Sequence, residues 1–192
     1  MKHIGTQTIE TERLILRRFK DEEAHYIYEN WASDDEVTKY LMWQTYTDIS
    51  QAKERIEYLK KNYVNDNFYD WAIVLKEIDE PIGTIGVVDL KEHIKSAHIG
   101  YCIGKKWWHK GITSEALSAV IDFLFDKVGF ERIESRHDPV NVNSGRVMKK
   151  CGMKYEGTMR KADINNQGIC DCAYYAILKC DRYNTVDNHR SN

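Results

Sequence analysis

The sequence predicts an α+β domain built on one mixed sheet. Three observations lead there. Stretches with strand-like alternation outnumber stretches with helical periodicity. They follow one another as β-α-α-β-β-β-α-β-α-β-β along the 192 residues, an order that mixes hairpins with a strand–helix–strand crossover. No Gly/Ser-rich linker, internal repeat or low-complexity run interrupts them, and proline occurs only as Pro81 and Pro139, so residues 1–192 read as a single domain.

The first strand is "RLILRRF", which alternates and carries branched residues. Residues 21 to about 31 read as a helix. Asp48 suits the cap of a second helix, with Gln51 completing a capping box. Ile49, Ala52, Ile56 and Leu59 recur at spacings of 3, 4 and 3, which places them on one helical face. "FYDWAIVL" and "PIGTIGVVDL" are strands joined by the turn "KEIDEP", and "SAHIGYCIG" is another strand. A helix then covers residues 112 to about 128. Leu117, Val120, Ile121, Leu124 and Val128 form its buried stripe, and Gly129 stops it. "RIESRHD" is a short strand, "NSGRVMKKC" a short helix ended by Gly152, and "MKYEGTM" and "CAYYAILKC" are two closing strands. Residues 181–192, "DRYNTVDNHRSN", are polar and are expected to form a frayed tail.

Hydrophobic residues make up 42% of the chain, enough for one sizeable core. The net charge of -2 excludes the basic balance of a dedicated nucleic-acid binder, though not a local basic pocket for a small anion. The opening "MKHIGTQTIETERLILRR" lacks the apolar region of a signal peptide, and no apolar run approaches the roughly 18 residues of a membrane span. A cytoplasmic protein with no membrane or nucleic-acid partner is therefore expected. The five cysteines, Cys102, Cys151, Cys170, Cys172 and Cys180, lack the C-x2-C spacing of a zinc site. They read as reduced structural thiols, and no metal is expected.

The chemistry gathers in "GYCIGKKWWHKGITSEAL", where a strand ends, a glycine-centred turn follows and an amphipathic helix opens. The first turn of a helix leaves backbone N–H groups unpaired at the positive end of the dipole, and glycine lets a ligand come close. Together these make a phosphate cradle, with Lys105, Lys106, His109 and Lys110 on the approach. The alternative is an ordinary crossover turn with solvated lysines, and these features alone leave both open. Neither a P-loop nor a G-x-G-x-x-G fingerprint occurs.

Four stretches in order, "ETERLILRRF", "HIGYCIGKKWWHKGITSEAL", "NVNSGRVMKKCGMKYEG" and "CDCAYYAIL", resemble the GNAT acetyltransferases. More narrowly they resemble the RimJ/RimL-type N-acetyltransferases that modify ribosomal-protein N-termini. The resemblance covers about residues 11–178. It implies the GNAT fold, a single mixed, mostly antiparallel sheet of about seven strands flanked by helices. It also implies acetyl transfer from acetyl-CoA to a primary amine by direct attack in a ternary complex.

The family motif R/Q-x-x-G-x-G/A falls on Trp108, His109, Lys110, Gly111, Ile112 and Thr113, with Ser114 next; only Gly111 keeps the strict form. The resemblance implies that backbone N–H groups of this turn hold the pyrophosphate. It implies that the preceding strand splays from its neighbour at a bulge. The pantetheine then pairs with Ile99, Tyr101, Cys102 and Ile103, and the acetyl carbonyl meets a backbone N–H. It assigns Asn141 a hydrogen bond to the pantetheine and Ser144 a place near the sulfur, protonating the leaving thiolate. On residue type alone, Asn141 and Ser144 read equally well as helix caps. Lys149 and Lys150 come within range of the adenosine 3'-phosphate on the same mapping.

The attacking amine must be neutral. An α-amine with a pKa of roughly 7.7–8.0 is about a tenth neutral at pH 7, against about 0.04% for a lysine-type amine near 10.4. An enzyme for N-termini therefore manages with a weak base. His98 is the preferred candidate, at a position where the family often carries glutamate; Asp89 and Glu134 are alternatives. The segment "WASDDEVTKYLMWQTY" covers the substrate cleft in the family, and its Asp34, Asp35 and Glu36 suit a cationic amine. The acceptor is then a protein N-terminus, ribosomal by analogy, or a small amine such as a polyamine, an antibiotic or an amino acid. A CoA-binding sensor without catalysis is the rival from another class. The aromatic content is compatible with a homodimer.

Overall fold

The computed structural model describes residues 1–187, with side chains through Tyr183. The strands are β1 (Ile9–Glu10), β2 (Leu14–Arg17), β3 (Asp70–Leu75), β4 (Glu80–Lys91), β5 (Ser96–Ile103), β6 (Arg132–His137), β7 (Lys154–Asn165) and β8 (Gly168–Leu178). They form one sheet in the order β1-β2-β3-β4-β5-β6-β8-β7. Every neighbouring pair is antiparallel except β5–β6, which is parallel. The sheet thus has eight strands rather than seven. The added one is β1, too short for an alternation pattern to register.

The helices are α1 (Ala24–Ile27), α2 (Asp35–Thr38), α3 (Ile49–Asn62), α4 (Ile112–Phe123), α5 (Val142–Lys150) and α6 (Lys179–Asp187). The helix expected over residues 21–31 is a composite: a 3-10 turn, α1, and a π turn over Tyr28–Ala32. The capping box of α3 forms as its sequence predicts. Asp48 Oδ1 accepts from the Ser50 N–H at 2.8 Å, and Gln51 Oε1 accepts from the Asp48 N–H at 3.2 Å. Helix α4 runs on as a π turn over Leu124–Val128 and ends at Gly129. Lys179–Asp187 is helical where a frayed tail was expected from residue 181. Arg182 ties this helix to Asp122 of α4 through Nε at 2.7 Å. The rest of that expected tail, 188–192, lies outside the described residues.

Strand β3 shows why its sequence is apolar almost throughout. Trp71, Ile73 and Leu75 point to the face covered by α4 and α5, while Ala72 and Val74 point to the face covered by α1 and α3. On the first face Leu117, Val120, Ile121 and Leu124 are fully buried. At about 1.5–3 kcal/mol for each buried side chain, this stripe holds α4 on the sheet. Strand β5 divides its residues likewise: Ala97, Ile99 and Ile103 pack on the α4 side and Cys102 on the α1–α3 side.

Two irregularities shape the middle of the sheet. Val87 pairs with Ile99 and Asp89 with His98, so Val88 is an extra residue bulged from β4. The bulge therefore lies in the strand beside β5, not in β5 as expected. Gly100 supplies the close approach: a Cβ there would come within 3.1 Å of Val88 Cγ1. Parallel pairing of β5 with β6 runs only from Ser96↔Arg132 to His98↔Glu134. The Ser135 hydroxyl then donates to the Ile99 carbonyl at 2.8 Å, and the two strands part. No helix among the described residues is long and apolar enough to cross a membrane.

Candidate active site

After β5 the chain makes a 3-10 turn over Lys105–Trp107 and reaches α4 through Trp108, His109, Lys110 and Gly111. Gly111 is the N-cap residue of α4, with φ 74°. Having no side chain, it leaves the first-turn N–H groups without a capping oxygen. A Cβ at Gly111 would lie 3.4 Å from Lys150 Nζ and 3.6 Å from Arg13 Nη2. Two cations therefore converge where the backbone is bare, at the positive end of a helix, an arrangement that suits a phosphate.

Arg13 also fastens the turn. Its Nη1 donates to the Lys110 carbonyl at 2.9 Å and its Nε to Glu115 Oε2 at 2.7 Å. The Thr11 hydroxyl donates to Glu115 Oε1 at 2.6 Å. Burial works against the Glu115 charge, but Thr11 and Arg13 outweigh it and hold the carboxyl below its ordinary range. A cavity of about 350 Å³ opens over the turn, with Trp107, Trp108, Asn141, Arg146 and Lys150 in its walls.

The parted strands leave an exposed backbone edge inside this cavity. The Gly104 N–H donates to Ile82 O at 2.9 Å on the β4 side. Backbone groups alternate along a strand, so those of Tyr101 and Ile103 face the β6 side, where pairing has ended. The Ile103 carbonyl accepts from Trp108 Nε1 at 2.9 Å. Across the gap the Tyr101 hydroxyl meets Ser144, 3.0 Å from Oγ and 3.1 Å from the carbonyl oxygen. Asn141 occupies the N-cap position of α5, yet its side chain makes no capping hydrogen bond. The ordinary structural use of this asparagine is therefore not made.

A second cavity, of about 510 Å³, lies on the α1–α3 side of β5 and shares Tyr40, Leu41, Tyr101, Cys102, Asn141 and Ser144 with the first. Its aromatic wall comes from Phe19, Trp31, Trp43 and Tyr46. His98 lines it and is only 8% exposed. Burial, reinforced by the charge of Arg136, lowers the His98 pKa to about 4, so the ring is neutral at neutral pH. The carboxylates of this cavity are engaged. Asp70 pairs with Arg55, and Asp163 accepts from Arg136 Nε at 3.1 Å. Asp138 accepts from the Val140 N–H and from Asn165 Nδ2, both at 2.9 Å. His137 donates from Nδ1 to the Asp138 carbonyl at 2.8 Å, and its Nε2 is buried without a hydrogen-bond partner among the described residues.

Two joined cavities, one with a bare helix start, two cations beside it and an open strand edge, agree with the relatives of the chain. The sequence profile of the acetyltransferase (GNAT) domain matches residues 13–154. The chain belongs to the GNAT acetyltransferases. It is 34% identical over 173 residues to the uncharacterized N-acetyltransferase p20 of Bacillus licheniformis, a match covering 90% of this chain and 97% of that one. It is 24% identical to the ribosomal protein uS5-alanine N-acetyltransferase of Escherichia coli, over 77% of this chain and 78% of the relative. The crystal structure of a GNAT-family acetyltransferase from Bacillus anthracis matches with a TM-score of 0.77 at 27% identity, covering 90% of this chain and 98% of that one.

Most of the GNAT cofactor positions read from the sequence line the 350 Å³ cavity: Tyr101, Cys102, Ile103, Trp108, His109, Gly111, Ile112, Thr113, Ser114, Asn141 and Ser144. Ile99 lies in the wall of the other cavity, and Lys110 lines neither. Two of the three loop lysines are occupied elsewhere. Lys105 pairs with Glu36, and Lys106 lies over the Trp107 ring. Of Lys149 and Lys150, only Lys150 lines the cavity.

The acidic patch is not in the second cavity. Asp34 caps α2, and Glu36 borders the first cavity. Asp89 is exposed. Glu134 is buried, which opposes its charge, but Lys91 and Arg132 hold its carboxyl below the ordinary range; neither lines the second cavity. Arg13, Arg146, His137, Asp138 and the tip of the β7–β8 hairpin are the site residues that sequence reasoning missed. Arg13 lies within "ETERLILRRF", which reads as a strand, and nothing in a strand pattern says that its guanidinium reaches a turn about a hundred residues away.

Proposed function

We propose that this GNAT enzyme moves the acetyl group of acetyl-CoA to the α-amine of a protein N-terminus, of ribosomal type. The observation that carries the acceptor class is His98, buried, with a pKa near 4, among carboxylates already engaged. Such a cavity offers only a weak base. It suits an amine that is about a tenth neutral at pH 7, not one that is almost wholly protonated.

The residues divide the work as follows. The first-turn N–H groups after Gly111, with Lys150 and Arg13 beside them, bind the pyrophosphate. The open edge at Tyr101 and Ile103 takes the pantetheine, and Asn141 donates to it. The Tyr101 N–H, fixed in the sheet, stabilises the negative charge that develops on the acetyl oxygen. The acceptor nitrogen bonds to the acetyl carbon as the carbon–sulfur bond breaks. Ser144 Oγ, held by the Tyr101 phenol, gives its proton to the departing sulfur and takes one back from solvent. The proton released by the nitrogen leaves through His98 or solvent.

A second reading, acetylation of a small free amine, is favoured by one observation: the acceptor-side cavity is walled on several sides, with the hairpin tip tied to segment 38–44. CoA release measured with alanine- and serine-starting hexapeptides, polyamines and free amino acids separates the readings. Turnover of the peptides is expected. Turnover confined to free amines sinks the N-terminal reading, and acetyl-CoA binding without turnover of any amine favours a sensor.

A further inference from the structure

We propose that Asn166 is a positioning residue that sets which acceptors the enzyme takes; this rests on reading the 510 Å³ cavity as the acceptor site. Asn166 sits in the turn between β7 and β8. Its backbone N–H donates to Leu41 O at 3.2 Å, and its Nδ2 donates to Thr38 O and to Trp43 O, both at 2.9 Å. Its Oδ1 accepts from Gln44 Nε2 at 2.7 Å. The short side-chain amide thus satisfies two backbone carbonyls, of residues 123 and 128 positions away in sequence, and the Asn166 backbone N–H satisfies a third. Asn165, its neighbour, donates to Asp138 Oδ2 and accepts from the Gln167 N–H at 2.8 Å.

The hairpin tip is therefore fastened on two sides. Asn165 ties it to the β6–α5 connection, and Asn166 ties it to segment 38–44. All three pieces wall the cavity, through Leu41 and Trp43, through Asp138, and through Ile164. The chemistry of the clasp is specific to asparagine. Aspartate has no side-chain donor and would set a carboxylate against carbonyl oxygens. Alanine leaves two of those carbonyls without their donor, and glutamine is one methylene too long. Of segment 38–44, Tyr40 and Leu41 also border the cofactor cavity, but Gly111 and Lys150 at its other end take no part in the hydrogen bonds of the clasp. Loss of the clasp is thus expected to alter acceptor recognition and leave cofactor binding in place.

The test compares wild type with Asn166→Asp, Asn166→Ala, Gln44→Ala and Ile164→Trp, using an alanine-starting hexapeptide and putrescine as acceptors. Acetyl-CoA Kd is measured by calorimetry, and amide hydrogen exchange is followed over residues 38–44. Asn166→Asp is expected to speed exchange in 38–44, raise the acceptor KM tenfold or more with kcat within threefold, and change the peptide-to-putrescine ratio of kcat/KM. Its acetyl-CoA Kd stays within threefold. Gln44→Ala, which removes one bond of four, falls between it and wild type. Unchanged exchange overturns the clasp. Faster exchange with unchanged acceptor KM and ratio overturns its role in selection. Ile164→Trp narrows the cavity without touching the clasp. If it too leaves acceptor KM unmoved, or if wild type turns over neither amine, the acceptor reading itself fails.

Discussion

The phenol oxygen of Tyr101 lies 3.0 Å from the Oγ of Ser144, a contact that joins β5 to α5 where β5 and β6 have parted. Burial pushes the Tyr101 phenol far above its ordinary pKa, so it stays protonated and the two hydroxyls share a hydrogen bond. Ser144→Ala is expected to lower kcat about 10²-fold, the modest end of general-acid effects, with acetyl-CoA Kd within threefold. Tyr101→Phe keeps the packed ring and loses the orienting bond, for a loss of about tenfold. Steady-state kinetics beside calorimetry of acetyl-CoA binding check both. A drop in affinity that accounts for the whole loss assigns these hydroxyls to binding.

Gly111→Asp is expected to weaken acetyl-CoA binding more than tenfold. Aspartate is among the residues that tolerate a positive φ, so the penalty is mainly electrostatic. Its carboxylate would stand beside Lys150 and Arg13 and take the two cations proposed to meet phosphate. Gly111→Asn is the neutral control and is expected to cost clearly less. Equal affinity for wild type and the Asp variant, both folded by circular dichroism, removes the phosphate site from this turn.

Arg13→Ala unfastens the same turn from below. It removes the donor to the Lys110 carbonyl and leaves the partly buried Glu115 carboxylate with Thr11 and the residue 13 N–H. Acetyl-CoA affinity is expected to fall about tenfold, in line with roughly 1–3 kcal/mol for a lost charged hydrogen bond. Arg13→Lys restores charge without the two-sided grip and is expected to recover less than half of that loss. Full recovery in the Lys variant would mean that charge alone matters there.

His98 carries a pH signature. The unfolded chain takes up its proton near 6.5 and the folded chain near 4, so between these values the unfolded state binds more protons. Stability therefore rises with pH across that window and is lost as pH falls from 6.5 to 4, by about 3 kcal/mol in all. His98→Gln is expected to flatten that part of the profile, as read by urea unfolding at pH 4 and pH 7. In catalysis His98 is already neutral above pH 5. The acid limb of kcat/KM for a peptide should then follow the amine, near pH 8, and an acid limb near 6.5 contradicts the buried assignment.

Much of the fold was legible because it depends on short-range pattern. The α3 capping box, the α4 stripe and the stop at Gly129 are local events that a few neighbouring residues decide. The residues that line the first cavity were largely legible too, since most come from one contiguous strand, turn and helix. The acceptor side was not. Asp34–Glu36 looked right by charge, but Asp34 is consumed as a cap and Glu36 by Lys105. Asn165 and Asn166 look like plain turn residues, and their partners are far away in the chain.

The sequence by itself determined the class of fold, the family and the stretch proposed to bind phosphate. These follow from periodicity, from glycine at a helix start and from motifs in order, all of which survive in one dimension. Only the tertiary structure decided which side chains share a cavity. It brought Arg13 and Lys150 to Gly111, set Tyr101 against Ser144, buried His98 until it became a weak base, and clasped segment 38–44 with Asn166. The physical reason is that desolvation and hydrogen-bond pairing depend on neighbours in space, and a strand pattern says which face a residue takes but not what waits there.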